Sequence, residues 1–316
     1  MTDSEKQEWQ KYIDNTISHA IGAVEYGNYF YDEVKGIADE AKDDCQAILE
    51  DYNRCGTKSR CNELKKEIDN RLSEMEDEIA EFIALELPKI IEDEDEWLNK
   101  NIKPLFNIQL EDNAKAIKRL AMIPIATAGA AIGFAALISN RLKTIYNSEI
   151  TQSYITGLSL KELKNDYESR FNSFDRGLEA DAETLGSSLG NQYERIIFTK
   201  NNNLIKRYMW SSMLDTSTCL VCGMLDGQIY DDITNVQIYP AHDRCRCRII
   251  PLPDFVSDEE AKITYSEWFE RQPEKKKYNI LGKTRFQLYE SGMKIKQFVN
   301  NGKITPLKDI KSNQTK

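Results

Sequence analysis

From Leu64 onward, apolar side chains fall at Leu64, Ile68, Leu72, Met75, Ile79, Phe82, Ile83, Leu87 and Ile90, with Glu and Lys between them. Steps of three and four gather these positions into one stripe of an amphipathic α-helix. The same reading makes residues 1–120 helical, with Pro88 a candidate kink and Pro104 closing the region around Trp97. Helical spacing resumes over 140–200, where Ser159-Leu-Lys-Glu162, just after Gly157, has the form of a capping box. LIKRYMW (204–210) is dense in bulky and aromatic residues and predicts a strand. Ser257-Asp-Glu-Glu260 is a second capping box and predicts a helix through Trp268 and Phe269, followed by a short helix over 284–292. The final KSNQTK is expected to fray.

One run breaks the amphipathic pattern. AMIPIATAGAAIGFAALIS (121–139) carries no charge and is flanked by Lys118 and Arg119 on one side and Arg141 and Lys143 on the other. Spanning a bilayer takes about 20 apolar residues, and Gly129 and Gly133 have the spacing that lets two membrane helices approach closely. Ala and Gly dominate the run, which weakens its drive into lipid. Two readings stand: a membrane-like helix, or a helix buried in the protein or in a homo-oligomer.

Charge divides the chain. Of its 316 residues, 41% are hydrophobic and 30% charged, as in a folded globular protein. The net charge of −10 is concentrated in residues 1–120, which hold 16 Lys+Arg against 29 Asp+Glu, while the remainder is slightly basic. That acidic region would be repelled by DNA and suits a basic protein surface or plain solvation. MTDSEKQEWQ has no apolar core of a secretory leader, so the expected compartment is reducing and clustered cysteines point to metal before disulfide.

Four of the seven cysteines and one of the two histidines lie within 219–247. Cys219-x-x-Cys222 is a two-thiolate knuckle, and His242-x-x-Cys245-x-Cys247 follows twenty residues later. Sulfur and imidazole nitrogen are the preferred tetrahedral donors of zinc. Cys222, His242 and Cys245 are the first three ligands, and the fourth is Cys219 or Cys247. Asp226-Gly227 predicts a turn, with Gln228 to Tyr230 returning as a strand, so the metal would pin the base of a β-hairpin. A saturated Cys/His shell leaves no position for water, which makes one structural Zn2+ per chain the expectation. His19, Cys45, Cys55 and Cys61 show no ligand spacing.

Arg244, Arg246 and Arg248 alternate through the second half of this constellation and would share one face of a strand. They could meet phosphate as a nucleic-acid-binding zinc ribbon. The overall acidity favours instead pairing with Asp226, Asp231 or Asp232, or a protein partner. No HExxH, deaminase pattern, phosphate-cradling Gly loop or Ser/His/Asp set is present, so no enzyme is expected.

Trp210, Asp215, Thr218, Cys219, Cys222, Leu225-Asp226-Gly227, His242 and Cys245-Arg246-Cys247 together resemble the phage Mu F-like minor head protein (head morphogenesis) family. Tyr265 to Trp268, Gln272-Pro273, Leu281 to Arg285, Tyr289 to Gly292, Phe298 and Ile304 to Leu307 are similar to its C-terminal portion, so the resemblance spans roughly 142–310. The chain departs from that pattern at Asp243, where a Pro is usual, and at Thr199-Lys200, where a Thr-Glu pair is common. The resemblance implies a virion protein of a tailed phage, made in the host cytoplasm and placed in the head near the portal. Its partners would be the portal protein and a major capsid or scaffold protein, with a part in packaging or DNA ejection and a transient membrane contact if 121–139 is released.

The expected fold is α+β and mainly α. An acidic helical region (1–120) and the apolar helix (121–139) precede a zinc-pinned β-hairpin/α module (140–312), with a frayed tail at 313–316.

Overall fold

The structure is a computed structural model that describes the chain apart from residues 126–127, 213–221, 223–224, 237–239, 262–268, 301–302, 305–306, 308–309 and 311–316. It is mainly helical with small antiparallel sheets, as the hydrophobic pattern predicts.

Helix α1 (Asp3–Tyr52) opens on a reciprocal capping box, in which Glu5 N–H donates to Thr2 Oγ1 and Thr2 N–H donates to the Glu5 carboxylate. Its buried face runs through Phe30, Val34, Ala38, Ala41, Cys45 and Leu49. Helix α2 (Lys58–Asn101) continues through Pro88 and buries every member of the predicted stripe except Phe82, which is half-buried with its ring 5.0 Å from that of Phe30. Pro104 falls in the first turn of α3 (Lys103–Phe106), where a missing N–H costs nothing. Bonds from Tyr26 to Glu86 and from Asn15 to Asn101 fix α1 and α2 as an antiparallel pair. A Cys55–Cys61 disulfide lies where the two helices join, with Cα atoms 5.2 Å apart. Sequence spacing read only for metal ligands missed it: the turn between the helices, not a motif, brings the two residues into bonding range.

The run 121–139 is not one helix. It is divided among the end of α4 (Asn113–Met122), a hairpin of β1 (Pro124–Ile125) and β2 (Gly129–Ala130), and the start of α5 (Ala131–Thr156). Pro124 lacks the N–H that would continue α4, and Gly129 takes φ +70°, a left-handed conformation that ends any helical register. Gly129 therefore lies in a strand and Gly133 in a helix, and they form no common helix-packing face. Ile125, Ala128, Ala131, Phe134, Ala135 and Ile138 are buried. Among the described residues no helix is long and apolar enough to cross a membrane.

Helix α5 ends at Gly157, with φ +72°. The predicted Ser159/Glu162 box forms, and α6 (Lys164–Lys200) follows. Ser139 Oγ donates to Leu72 O at 3.1 Å and Lys65 Nζ to Thr151 at 3.1 Å, so α5 runs antiparallel to α2. Ion pairs of Lys42 with Asp175 (2.7 Å) and Arg170 with Glu149 (3.1 Å) set α6 antiparallel to α1 and α5. The four long helices thus form an antiparallel bundle in which the acidic first 120 residues share a continuous core with the helices after residue 130. Between α1 and α6 the backbones nearly touch. A Cβ on Gly27 would lie 2.7 Å from Glu183 O, and one on Gly186 would lie 2.6 Å from Phe30 Cβ.

At one end of the bundle sits a three-stranded antiparallel sheet in the order β4 (Ile229–Tyr230), β3 (Tyr208–Ser211), β5 (Arg248–Pro251). The predicted strand over 204–210 begins only at Tyr208, and the expected hairpin is completed by β5, in the register Ser211↔Arg248 and Trp210↔Ile249. Beyond it, Ser257 and Glu260 cap a short helix, Asp258–Ala261, while Trp268 lies outside the described residues. The helix Glu274–Glu290 includes most of the predicted 284–292 segment and breaks at Gly282, φ +69°. A last hairpin pairs β6 (Val299–Asn300) with β7 (Lys303–Ile304).

Candidate metal centre

Strand β3 leads toward Cys222, and the 242–247 segment feeds β5, so the sheet brings the two halves of the sequence constellation together. The turn at Gly227 (φ +76°) returns the chain to β4: Gly227 N–H donates to Trp210 O at 2.8 Å and Asp226 N–H to Cys222 O at 3.1 Å. The Asp226 carboxylate accepts from Ser212 N–H at 2.8 Å. Cys222, His242 and Cys245 converge with ligand atoms all within 4.8 Å of one another. Cys222 Sγ is 3.8 Å from Cys245 Sγ. Two thiolates on a tetrahedral ion with bonds of about 2.3 Å stand about 3.8 Å apart, so this separation fits zinc without rearrangement. His242 Nε2 is 3.0 Å from Cys222 Sγ, and its Nδ1 lies 2.6 Å from Asp243 O. An Nδ1–H donated to that carbonyl leaves the Nε2 lone pair for a metal.

Cys247 is buried beside these three, its thiol donating to Ser212 Oγ at 3.3 Å and perturbing the Cys222 and Cys245 thiols. Cys219 lies outside the described residues. Hydrogen bonds with Cys222 and then Cys247 hold the Cys245 thiol far below its ordinary value, whereas Cys222 is pushed far up, first by its bond with Cys245. A cation bound here would displace the thiol protons, because the thiolate is the ligating form.

Ser212 is a supporting residue with no sequence signal. It is buried, its Oγ donates to Cys222 O at 2.7 Å, and it receives Trp210 Nε1–H at 3.0 Å and the Cys247 thiol at 3.3 Å. Helix α6 supplies the other support. Arg244 occupies a left-handed turn (φ 57°), its N–H donates to Thr184 Oγ1 at 2.7 Å, and its guanidinium pairs with Glu179 at 3.0 Å and Glu183 at 2.8 Å.

The arginine face expected from alternation does not form. Only Arg248 lies in β5, and it points inward to Glu194 at 2.6 Å with 3% of its side chain exposed. Arg246 is half-buried near Thr16 and Ile17 of α1. The partners of Arg244 and Arg248 are glutamates of the bundle, Glu179, Glu183 and Glu194 of α6 and Glu94 of α2, rather than the local acids; Asp226 is engaged by Ser212 and Asp232 by Asn202 and Thr234.

In comparisons with known proteins, no family model matches this chain, and no curated protein or solved structure matches it either.

A second group of donor side chains lies beside Arg248. His19, Glu94 and Glu194 also bring ligand atoms within 4.8 Å of one another. Burial pushes both glutamates up to about 7, although Arg248 opposes the shift, and burial then Arg248 push His19 down to about 3. The sequence holds no signal for this group, since its three members come from three different helices, α1, α2 and α6.

Proposed function

We propose that this chain is a non-enzymatic minor head protein of a tailed phage, of the Mu F-like kind, in which one structural zinc ion pins the sheet to the helical bundle. The observation that carries the reading is the meeting of Cys222, His242 and Cys245 at a zinc-compatible spacing, in a segment whose motif resembles that family. Cys247 is the fourth ligand this reading adopts, since its buried sulfur already neighbours the other two. The acidic α1–α2 surface would meet a basic surface of the portal or of a capsid or scaffold protein. The protein would serve in head assembly, with packaging or ejection as the step it influences. Detection of the chain in purified virions by mass spectrometry, and its co-purification with portal protein, test the assignment. Absence from virions together with no portal binding overturns it.

A nucleic-acid role is the weaker reading. Arg248 is enclosed and Arg244 is already paired to two carboxylates, which leaves little of the three-arginine face for phosphate. DNA binding that falls steeply with salt would favour it over the portal reading.

A further inference from the structure

We propose that His19, Glu94 and Glu194 form a second metal site in this chain, for a divalent first-row transition ion such as Mn2+ or Zn2+, beside the cavity between α1, α2 and α6. One imidazole with two carboxylates is a borderline donor set that suits such ions. His19 Nε2 and Glu94 Oε2 are 3.0 Å apart. Donors on a tetrahedral ion with bonds of about 2.1 Å stand about 3.4 Å apart, so an ion fits between these two after a small displacement, with a Glu194 oxygen within 4.8 Å of both.

Four further observations make this a built site rather than a chance meeting of acids. Glu194 is 3% exposed and its Oε1 is buried without a hydrogen-bond partner among the described residues, whereas its Oε2 holds Arg248. Glu94 sits in a notch left by a glycine: a Cβ on Gly190 would come within 2.2 Å of Glu94 Oε1. A cavity of about 500 Å3 is lined by His19, Glu94 and Gly190, so an ion can reach the donors. His19 is fixed by stacking on Trp97 at 4.5 Å, and Arg248 lies over the same indole at 5.5 Å.

The charge balance points the same way. Arg248 pairs with both Glu194 at 2.6 Å and Glu94 at 3.9 Å, so a single positive charge faces two buried carboxylates. A buried uncompensated charge is costly, so the cluster takes up either a proton or a cation. Asp93 and Glu96 at the cavity add negative potential that offsets the second charge of a divalent ion. Bound there, the ion would tie α1, α2 and α6 together next to β5.

Cobalt(II) titration of the full-length protein separates this site from the cysteine centre, because only thiolate ligation gives intense near-ultraviolet charge-transfer absorption. The expected result is two cobalt ions per chain, one with that absorption and one without. Glu194→Gln should lose the ion without it and keep the other, and Cys222→Ser should do the reverse. Mn2+ followed by electron paramagnetic resonance should show one bound ion that Glu94→Gln releases. A wild-type protein that binds a single cobalt, with thiolate absorption, overturns the proposal, and so does a second ion unaffected by Glu194→Gln. A single ion without thiolate absorption, lost in Glu194→Gln, supports this site and counts against the cysteine centre instead.

Discussion

The two donor clusters were built by opposite routes. Cys222, His242 and Cys245 come from 24 consecutive residues, and their spacing already states their chemistry. His19, Glu94 and Glu194 are separated by 75 and 100 positions and meet only because three long helices pack side by side. The first cluster is held by its own turn hydrogen bonds and by Ser212; the second exists only while α1, α2 and α6 are in register. Damage to the first should therefore be chemical and local, and damage to the second should follow from any change in helix packing.

The largest expected effect tests the first half of that contrast. Cys222→Ser or Cys245→Ser should abolish zinc binding at the sheet and lower stability by several kcal/mol, out of the roughly 10–16 kcal/mol that structural zinc contributes in zinc-finger peptides. Metal content by elemental analysis and thermal melting check it together. Cys45→Ser, buried in α1 away from both clusters, should leave the zinc content unchanged. Equal zinc loss from Cys45→Ser and Cys222→Ser would break the local picture.

The buried glutamates give the next effect, on the order of 3 kcal/mol at most by the conversion of about 1.36 kcal/mol per pKa unit. Burial raises Glu194 from 4.5 to about 7. Between those values the native chain holds a proton that the unfolded chain has released, so the stabilisation is complete below pH 4.5 and is lost as pH rises to about 7. His19, lowered to about 3, acts in the opposite sense: its contribution is present above pH 6.5 and is lost as pH falls toward 3. Without added divalent ions, the wild-type protein should lose stability relative to Glu194→Gln as pH goes from 5 to 7.5 in denaturant titrations. Parallel curves for the two proteins would show that Glu194 ionises at an ordinary pH.

How much of this was legible in the sequence follows the same division. The stripe from Leu64 to Ile90 placed α2 because helical burial repeats every three to four residues, and both capping boxes formed because they depend on neighbours three positions apart. The run 121–139 was misjudged because hydropathy weighs composition, whereas Pro124 and the positive φ of Gly129 decide whether a helix can pass through. The alternating arginines misled for a related reason: alternation implies a strand, but a left-handed turn at Arg244 breaks it before β5 begins. The glutamate partners of Arg244 and Arg248 depend on tertiary packing, which no local spacing encodes, and Cys55–Cys61 depends on the turn that joins α1 to α2.

Helix register itself can be tested by a glycine pair with opposite surroundings. A methyl group at Gly27 meets the α6 backbone at 2.7 Å, whereas one at Gly22 meets nothing within 4 Å. Gly27→Ala should cost about 1–3 kcal/mol by overpacking, and Gly22→Ala should gain up to about 1 kcal/mol from helix propensity. If Gly27→Ala also weakens Mn2+ binding while the zinc content holds, the second cluster depends on helix packing. Opposite signs in thermal melts check the pair, and a neutral Gly27→Ala would mean that α1 and α6 lie farther apart than this.

The smallest expected effect concerns the link between bundle and metal turn. Arg244 makes two ion pairs at 3.0 and 2.8 Å, but 47% of its side chain is exposed, so solvent screens most of their energy. Its backbone N–H bond to Thr184 Oγ1 survives truncation of the side chain. Arg244→Ala should therefore cost less than about 1 kcal/mol, leave one zinc per chain, and show its deficit mainly at low salt. Thr184→Val removes the acceptor of a half-buried N–H at the turn between His242 and Cys245 and should cost more, about 1–3 kcal/mol. A chelator competition assay should show faster zinc release from Thr184→Val than from Arg244→Ala. The reverse order would mean that charge, rather than the backbone hydrogen bond, fixes the turn that carries His242 and Cys245.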